Sequence, residues 1–154
     1  MKRIAGFTQI ELVSMIVIIG IMAAVAIPRL STSEYRSLEF RDRTVSALRY
    51  AQKTASSHRR LVCVTFTATT VTLNIAAAHV ATACDTPLPV PAGTAVVTSR
   101  DTVNAVFNPV PAMLYFQPDG RGTTDGAGTG IANLALTIAG ATDIAVAGTT
   151  GHVE

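Results

Sequence analysis

The chain has 154 residues, enough for one ordinary domain beside a helix and too few for a second core. It is 49% apolar but only 5% aromatic, with no Trp. A formal charge of +2 is too small to name a nucleic acid or an acidic surface as partner, and three His with two Cys make a thin inventory for acid-base or metal chemistry.

Lys2 and Arg3 open the chain, and from Leu12 to Ile27 only Ser14 and Gly20 interrupt an apolar run. A helix from Phe7 to Ile27 would be roughly 30 Å long, about one bilayer core. The reading is a transmembrane half-helix over 7–28, with Lys2 and Arg3 keeping the amino end cytoplasmic. Glu11 is the anomaly, because a carboxylate costs about 2.5 to 3.5 kcal/mol at a membrane centre. A cut between Gly6 and Phe7 would place a new α-amino group about one helical turn from Glu11. It would also leave Glu11 in the first turn, where the helix dipole favours a negative charge. An ordinary signal peptide is the alternative, since Ala24-Val25-Ala26 resembles its cleavage site. Against it, Glu11 would interrupt the apolar region, and the helical pattern continues beyond Pro28.

The segment Gly6-Phe7-Thr8-Gln9-Ile10-Glu11-Leu12 resembles the prepilin peptidase motif of type IV pilins and type II secretion pseudopilins, with Gln9 in place of the commoner Leu. Pro28 falls at the family's position for a helix proline, where a kink rather than an end is expected. The resemblance covers residues 1 to 57. It implies a leader over 1–6, cleavage after Gly6, N-methylation of Phe7, and packing of the helices into a filament core. It also implies that Glu11 neutralises the Phe7 amine of a neighbouring subunit during assembly.

Beyond Pro28, Leu30, Tyr35, Leu38, Val45, Leu48, Ala51 and Ala55 recur at three- and four-residue steps, predicting an amphipathic helix over 29–57. Arg29 to Arg60 carries eight basic and three acidic residues, and Leu61 to Glu154 carries two basic and six acidic. The basic stem could meet a neighbour's acidic head, or simply present a solvated face.

From Leu61 the period changes to two, and a β-rich head is predicted over 58–154. Strands are expected at 61–67, 71–75, 79–84, 94–98, 103–108, 112–117, 131–138 and 143–147. Turn clusters lie between them, notably Pro87 to Pro91 and Gln117 to Gly122. Cys63 and Cys84 favour a disulfide in a compartment outside the inner membrane, with two buried thiols as the alternative. No CxxC or His/Cys metal spacing exists, so neither metal nor cofactor is expected. The Gly-rich stretch 119–130 lacks the GKS or GKT ending of a phosphate loop and reads as a flexible turn.

Phe116-Gln117-Pro118-Asp119-Gly120 and Thr150-Gly151-His152-Val153 look like segments of the minor pilin group typified by H-type pseudopilins and FimT-like pilins. That resemblance implies an α+β lollipop, a long N-terminal transmembrane and amphipathic helix packed on an antiparallel β-rich head. The function it implies is a minor pilin that assembles into, primes or caps a type IV pilus. The alternatives are a minor pseudopilin of type II secretion and a pilus-tip DNA receptor. The implied partners are prepilin peptidase, other pilin or pseudopilin subunits, and the inner membrane before assembly, with no small-molecule substrate. For DNA, the Arg motif that the resemblance would place near the C-terminus is missing, so Arg59 and Arg60 are the residues for phosphate contact. No catalytic residues are expected, since the His and Asp residues sit in turns, strands and tail without converging.

Overall fold

The computed structural model describes residues 7–29, 33–91 and 93–154, and the chain divides into two units, 1–32 and 33–154. Unit 1 contains one helix, α1 (Gln9–Arg29). Its large apolar side chains from Ile10 to Met22 are all exposed, Ile10 to 75% and Met22 to 69%. The expected single long helix, spanning a membrane over 7–28 and continuing to 57, is not what forms. Among the described residues there are two helices, and neither is long and apolar enough to cross a membrane. The reason lies at the ends of the apolar run. The helix starts at Gln9 rather than Phe7, and Glu11 and Arg29 bound the stretch that lipid could accept. From Leu12 to Ile27 that stretch is about 24 Å, short of a hydrocarbon core of about 30 Å. Pro28 lies within α1, one residue before its end. Gly6 and residues 30–32 lie outside the described residues.

Unit 2 begins with α2 (Ser33–His58), four residues later than the sequence pattern suggested. Its buried stripe runs through Phe40, Thr44, Val45, Ala47, Leu48, Ala51 and Ala55. Tyr35 and Leu38, expected in that stripe, are exposed, and Phe40 takes the core position at the N-terminal end. The helix closes with Arg59 in the left-handed region (φ 51°) and the Arg60 N–H donating to the Ala55 carbonyl at 3.1 Å. This is a Schellman cap, which satisfies a carbonyl the helix would otherwise leave open.

The larger sheet contains β1 (Val62–Phe66), β2 (Thr70–Ile75), β3 (Thr86–Pro87), β4 (Val96–Thr98), β5 (Leu114–Phe116) and β6 (Gly122–Thr123). Its order is β3-β2-β1-β5-β6, with β4 also paired to β2, and every pairing is antiparallel. A second antiparallel sheet, β7 (Leu134–Leu136), β8 (Ile144–Ala147) and β9 (His152–Val153), has the order β7-β8-β9. Successive side chains on a strand point to opposite faces. One face of the larger sheet therefore presents Val62, Val64, Phe66, Val71, Leu73, Leu114 and Phe116 to α2, all buried. Leu136, Ile144, Val146 and Val153 of the smaller sheet join the same core. Phe107 stands edge-on to both Phe40 (5.2 Å) and Phe66 (5.6 Å), joining helix to sheet.

Two expected strands are absent. Residues 79–84 form a loop tied down by Cys84, described below. In 103–108 the Asp101 carboxylate accepts the Val103 and Asn104 amides at 3.2 and 3.0 Å, which turns the chain and leaves only a single bridge at Phe107.

The basic flank of α2 is spent largely within the chain. Arg41 donates to the Thr142 carbonyl at 2.9 Å and Arg43 to the Thr98 carbonyl at 3.2 Å. Arg49 donates from Nε and Nη2 to the Val153 carbonyl at 3.0 and 2.9 Å, covering the outer edge of β9. Charge-assisted bonds of this kind are stronger than neutral ones. Arg49→Ala should lower stability by about 1 to 3 kcal/mol, read as a lower melting temperature, and Arg49→Lys should recover part of the loss. An unchanged melting temperature in Arg49→Ala would show that this clasp contributes nothing.

Candidate functional site

At the start of α1, the Thr8 hydroxyl accepts the Glu11 N–H at 3.3 Å, while the Glu11 carboxylate lies 3.5 Å from the Thr8 N–H. Thr8 and Glu11 thus form a capping box, the reciprocal arrangement that the spacing Thr-x-x-Glu encodes. The sequence reading placed Glu11 in the first turn but missed its partner. Phe7 immediately precedes the cap and is exposed to 71%. The result is a well-defined helix start whose carboxylate and apolar neighbour both face solvent.

Arg59 and Arg60 lie in the cap between α2 and β1, Arg59 exposed and Arg60 half-buried. Among the described residues, no hydrogen bond or ion pair engages either guanidinium, whereas Arg36, Arg41, Arg43 and Arg49 all have partners within the chain. Among the described residues, Arg59 and Arg60, with the exposed Lys53 of α2, are therefore the basic side chains of this stem left available to an anion.

The two short segments 116–120 and 150–153 meet. Gln117 to Gly120 is a tight turn between β5 and β6: the Gly120 N–H donates to the Gln117 carbonyl at 2.9 Å, and Gly120 has φ 89°. Pro118 presets the turn and Gly120 takes the left-handed position that other residues resist. Gly151, also left-handed at φ 67°, abuts the Gly120 carbonyl so closely that a Cβ could not fit. Gln52 of α2 binds both, donating from Nε2 to the Thr150 carbonyl at 2.8 Å and the Gly120 carbonyl at 3.4 Å. This junction is architectural: it seats two hairpins on the helix.

Cys63 and Cys84 form a disulfide, with Cα atoms 6.0 Å apart. Around it, Leu61, Cys63 and Ala76 make a small second core with Ala81, Cys84 and Tyr115 packed against it. The adjoining Gly-rich segment is built rather than flexible. The Asp125 carboxylate accepts the Thr129 hydroxyl at 2.7 Å, the Thr129 amide at 3.1 Å and the Gly130 amide at 2.9 Å. From beneath, the Gln117 amide donates to Thr123 Oγ1 at 2.8 Å and to the Asp125 carbonyl at 3.2 Å. Gln117 was legible only as part of a turn motif, and Asp125 only as a turn former.

A groove of about 640 Å³ runs between α2 and residues 90–97, lined by Tyr35, Leu38, Tyr50, Val90, Pro91 and Val97 among others. None of the aspartates with displaced pKa values lines it. His58, His79 and His152 are all exposed and lie on different elements. Among the described residues, no group of three or more His, Cys, Asp or Glu could hold a metal ion.

The Thr129 hydroxyl, then the Thr129 and Gly130 amides, hold the Asp125 carboxyl at about 2, below the ordinary value of 3.8. A carboxyl depressed on folding adds stability that is full above its unfolded pKa and fades as pH falls through its folded one. Asp125→Ala should therefore melt below the unaltered chain at neutral pH. The gap should narrow from about pH 4 downward and close near pH 2; a gap constant across that range would show the carboxylate charge to be irrelevant. No protein-family model, curated protein or solved structure matches the chain.

Proposed function

We propose that the chain is a structural filament subunit rather than an enzyme: a minor pilin cut after Gly6 by prepilin peptidase and N-methylated on Phe7. In this reading it assembles into, primes or caps a type IV pilus at the cell surface, in contact with other pilin subunits. The observation that carries the reading is α1, a capped helix that begins within the Gly6-Phe7-Thr8-Gln9-Ile10-Glu11 motif and leaves its large apolar side chains from Ile10 to Met22 exposed in the single chain. A helix apolar on every side needs a partner surface, and a bundle of like helices supplies one. The antiparallel head on α2 is compatible with that role. The early Cys63–Cys84 pair, which does not close a C-terminal loop, favours a minor over a major subunit.

Mass spectrometry of the mature N-terminus tests the processing step. The expected product begins at N-methylated Phe7, and a mature chain beginning at Met1 or Ile27 would overturn the reading. A second test separates charge from shape at Glu11. Glu11→Gln keeps the size and a capping acceptor but removes the charge, so cleavage should proceed while incorporation into filaments falls. Normal incorporation of Glu11→Gln would remove charge neutralisation from the account.

A further inference from the structure

Residues 77–85 connect β2 to β3 across the face of β1 that points away from α2. Cys63 lies on that face because it alternates with the core residues Val62 and Val64. At one end of the segment, the Ala76 N–H donates to the Leu61 carbonyl at 2.9 Å. At the other, Thr86 pairs with Ile75. Between those hinges, among the described residues, no backbone hydrogen bond joins 77–85 to any other segment. Ala77 to Val80 are exposed, and Val80 adopts φ 75°, a conformation β-branched residues rarely take. What holds the segment down is the covalent bond from Cys84 to Cys63, the packing of Ala81 against the small cluster of Leu61, Cys63 and Ala76, and the backbone of Gly126 against Thr82.

What lies beneath the segment is apolar. Leu61 is exposed to 2%, Cys63 to 3% and Ala76 to 0%, with Tyr115 packed beside them. The main core against α2 includes no residue between Ala76 and Asp85. The 123–130 loop has its own support in Asp125 and Gln117. The segment can therefore leave without dismantling either neighbour.

We propose that 77–85 is a redox-released flap, closed by the Cys63–Cys84 disulfide and opened when an external dithiol reduces it. The dithiol supplies two electrons and two protons, the S–S bond breaks, Cys63 and Cys84 become thiols, and the dithiol closes to its own disulfide. Opening uncovers the apolar patch of Leu61, Ala76 and Tyr115 while the α2-and-sheet core stays folded.

The test is limited proteolysis of the full chain, held in detergent to cover α1, by elastase, which cuts after small apolar residues. The chain is compared oxidised, reduced with dithiothreitol and capped with iodoacetamide before the protease is added, and as the double variant Cys63→Ser/Cys84→Ser, which carries no cap. Both opened forms should be cut between Ala77 and Ala83 about tenfold faster than the oxidised chain, with α2 and β1 left intact. Equal rates in the oxidised form and the Ser variant would overturn the flap. So would cleavage spread through the whole head on reduction, since the disulfide would then support the core rather than a local segment.

Discussion

The head depends on one meeting of two periodicities. Along α2, buried residues recur at the three- and four-residue steps of a helix, along β2 and β5 they alternate, and Val62, Val64 and Phe66 of β1 share the face turned to the helix, so one stripe lies on one face. Phe40, Leu48, Ala51 and Ala55 supply the helix side; Val62, Val64, Leu73, Leu114 and Phe116 supply the sheet side. Small Ala residues line the C-terminal half of this stripe, while Phe40 packs edge-on to Phe107 at its N-terminal end. The smaller sheet needs the same helix, since its inner residues reach the same core and its β9 edge is covered by Arg49.

What could be read from the chain follows this division. The amphipathic helix and the central strands were legible because their signal is local: a period repeated over several turns or pleats. The loop at 79–84 was not, because Val80, Thr82 and Cys84 mimic alternation and only the cross-link to Cys63 shows that the segment lies over the sheet instead of in it. Nor was the role of Arg49, whose acceptor carbonyl is 104 residues away in sequence. The two-residue strands β3, β6 and β9 owe their existence to neighbours already in place, and no pattern of two residues can announce that.

At the N-terminus the difficulty ran the other way. A long apolar run invites measurement from its first apolar residue, Phe7, and so yields a membrane-spanning length. Helix geometry begins later, at the residue that caps it, and Thr8-x-x-Glu11 specifies that start. Glu11 is thus an integral part of the helix end rather than an intruder in a lipid-facing stretch. Its exposure, and that of the apolar residues after it, leaves the helix with chemistry to offer a partner.

The capping box also sets terms for any such partner. The Glu11 carboxylate already has an occupation, since the Thr8 amide lies 3.5 Å from it. An amine arriving from another chain would compete with that amide, so the encounter is an exchange of donors rather than the filling of a vacant acceptor. Because the resident bond is long and an incoming one would be charge-assisted, such an exchange would favour the amine and give up only the weaker half of the capping box, since the Thr8 hydroxyl would keep the Glu11 N–H. The first turn of α1 would keep that hydroxyl cap, so a neighbour could be recruited at the carboxylate without undoing the helix start.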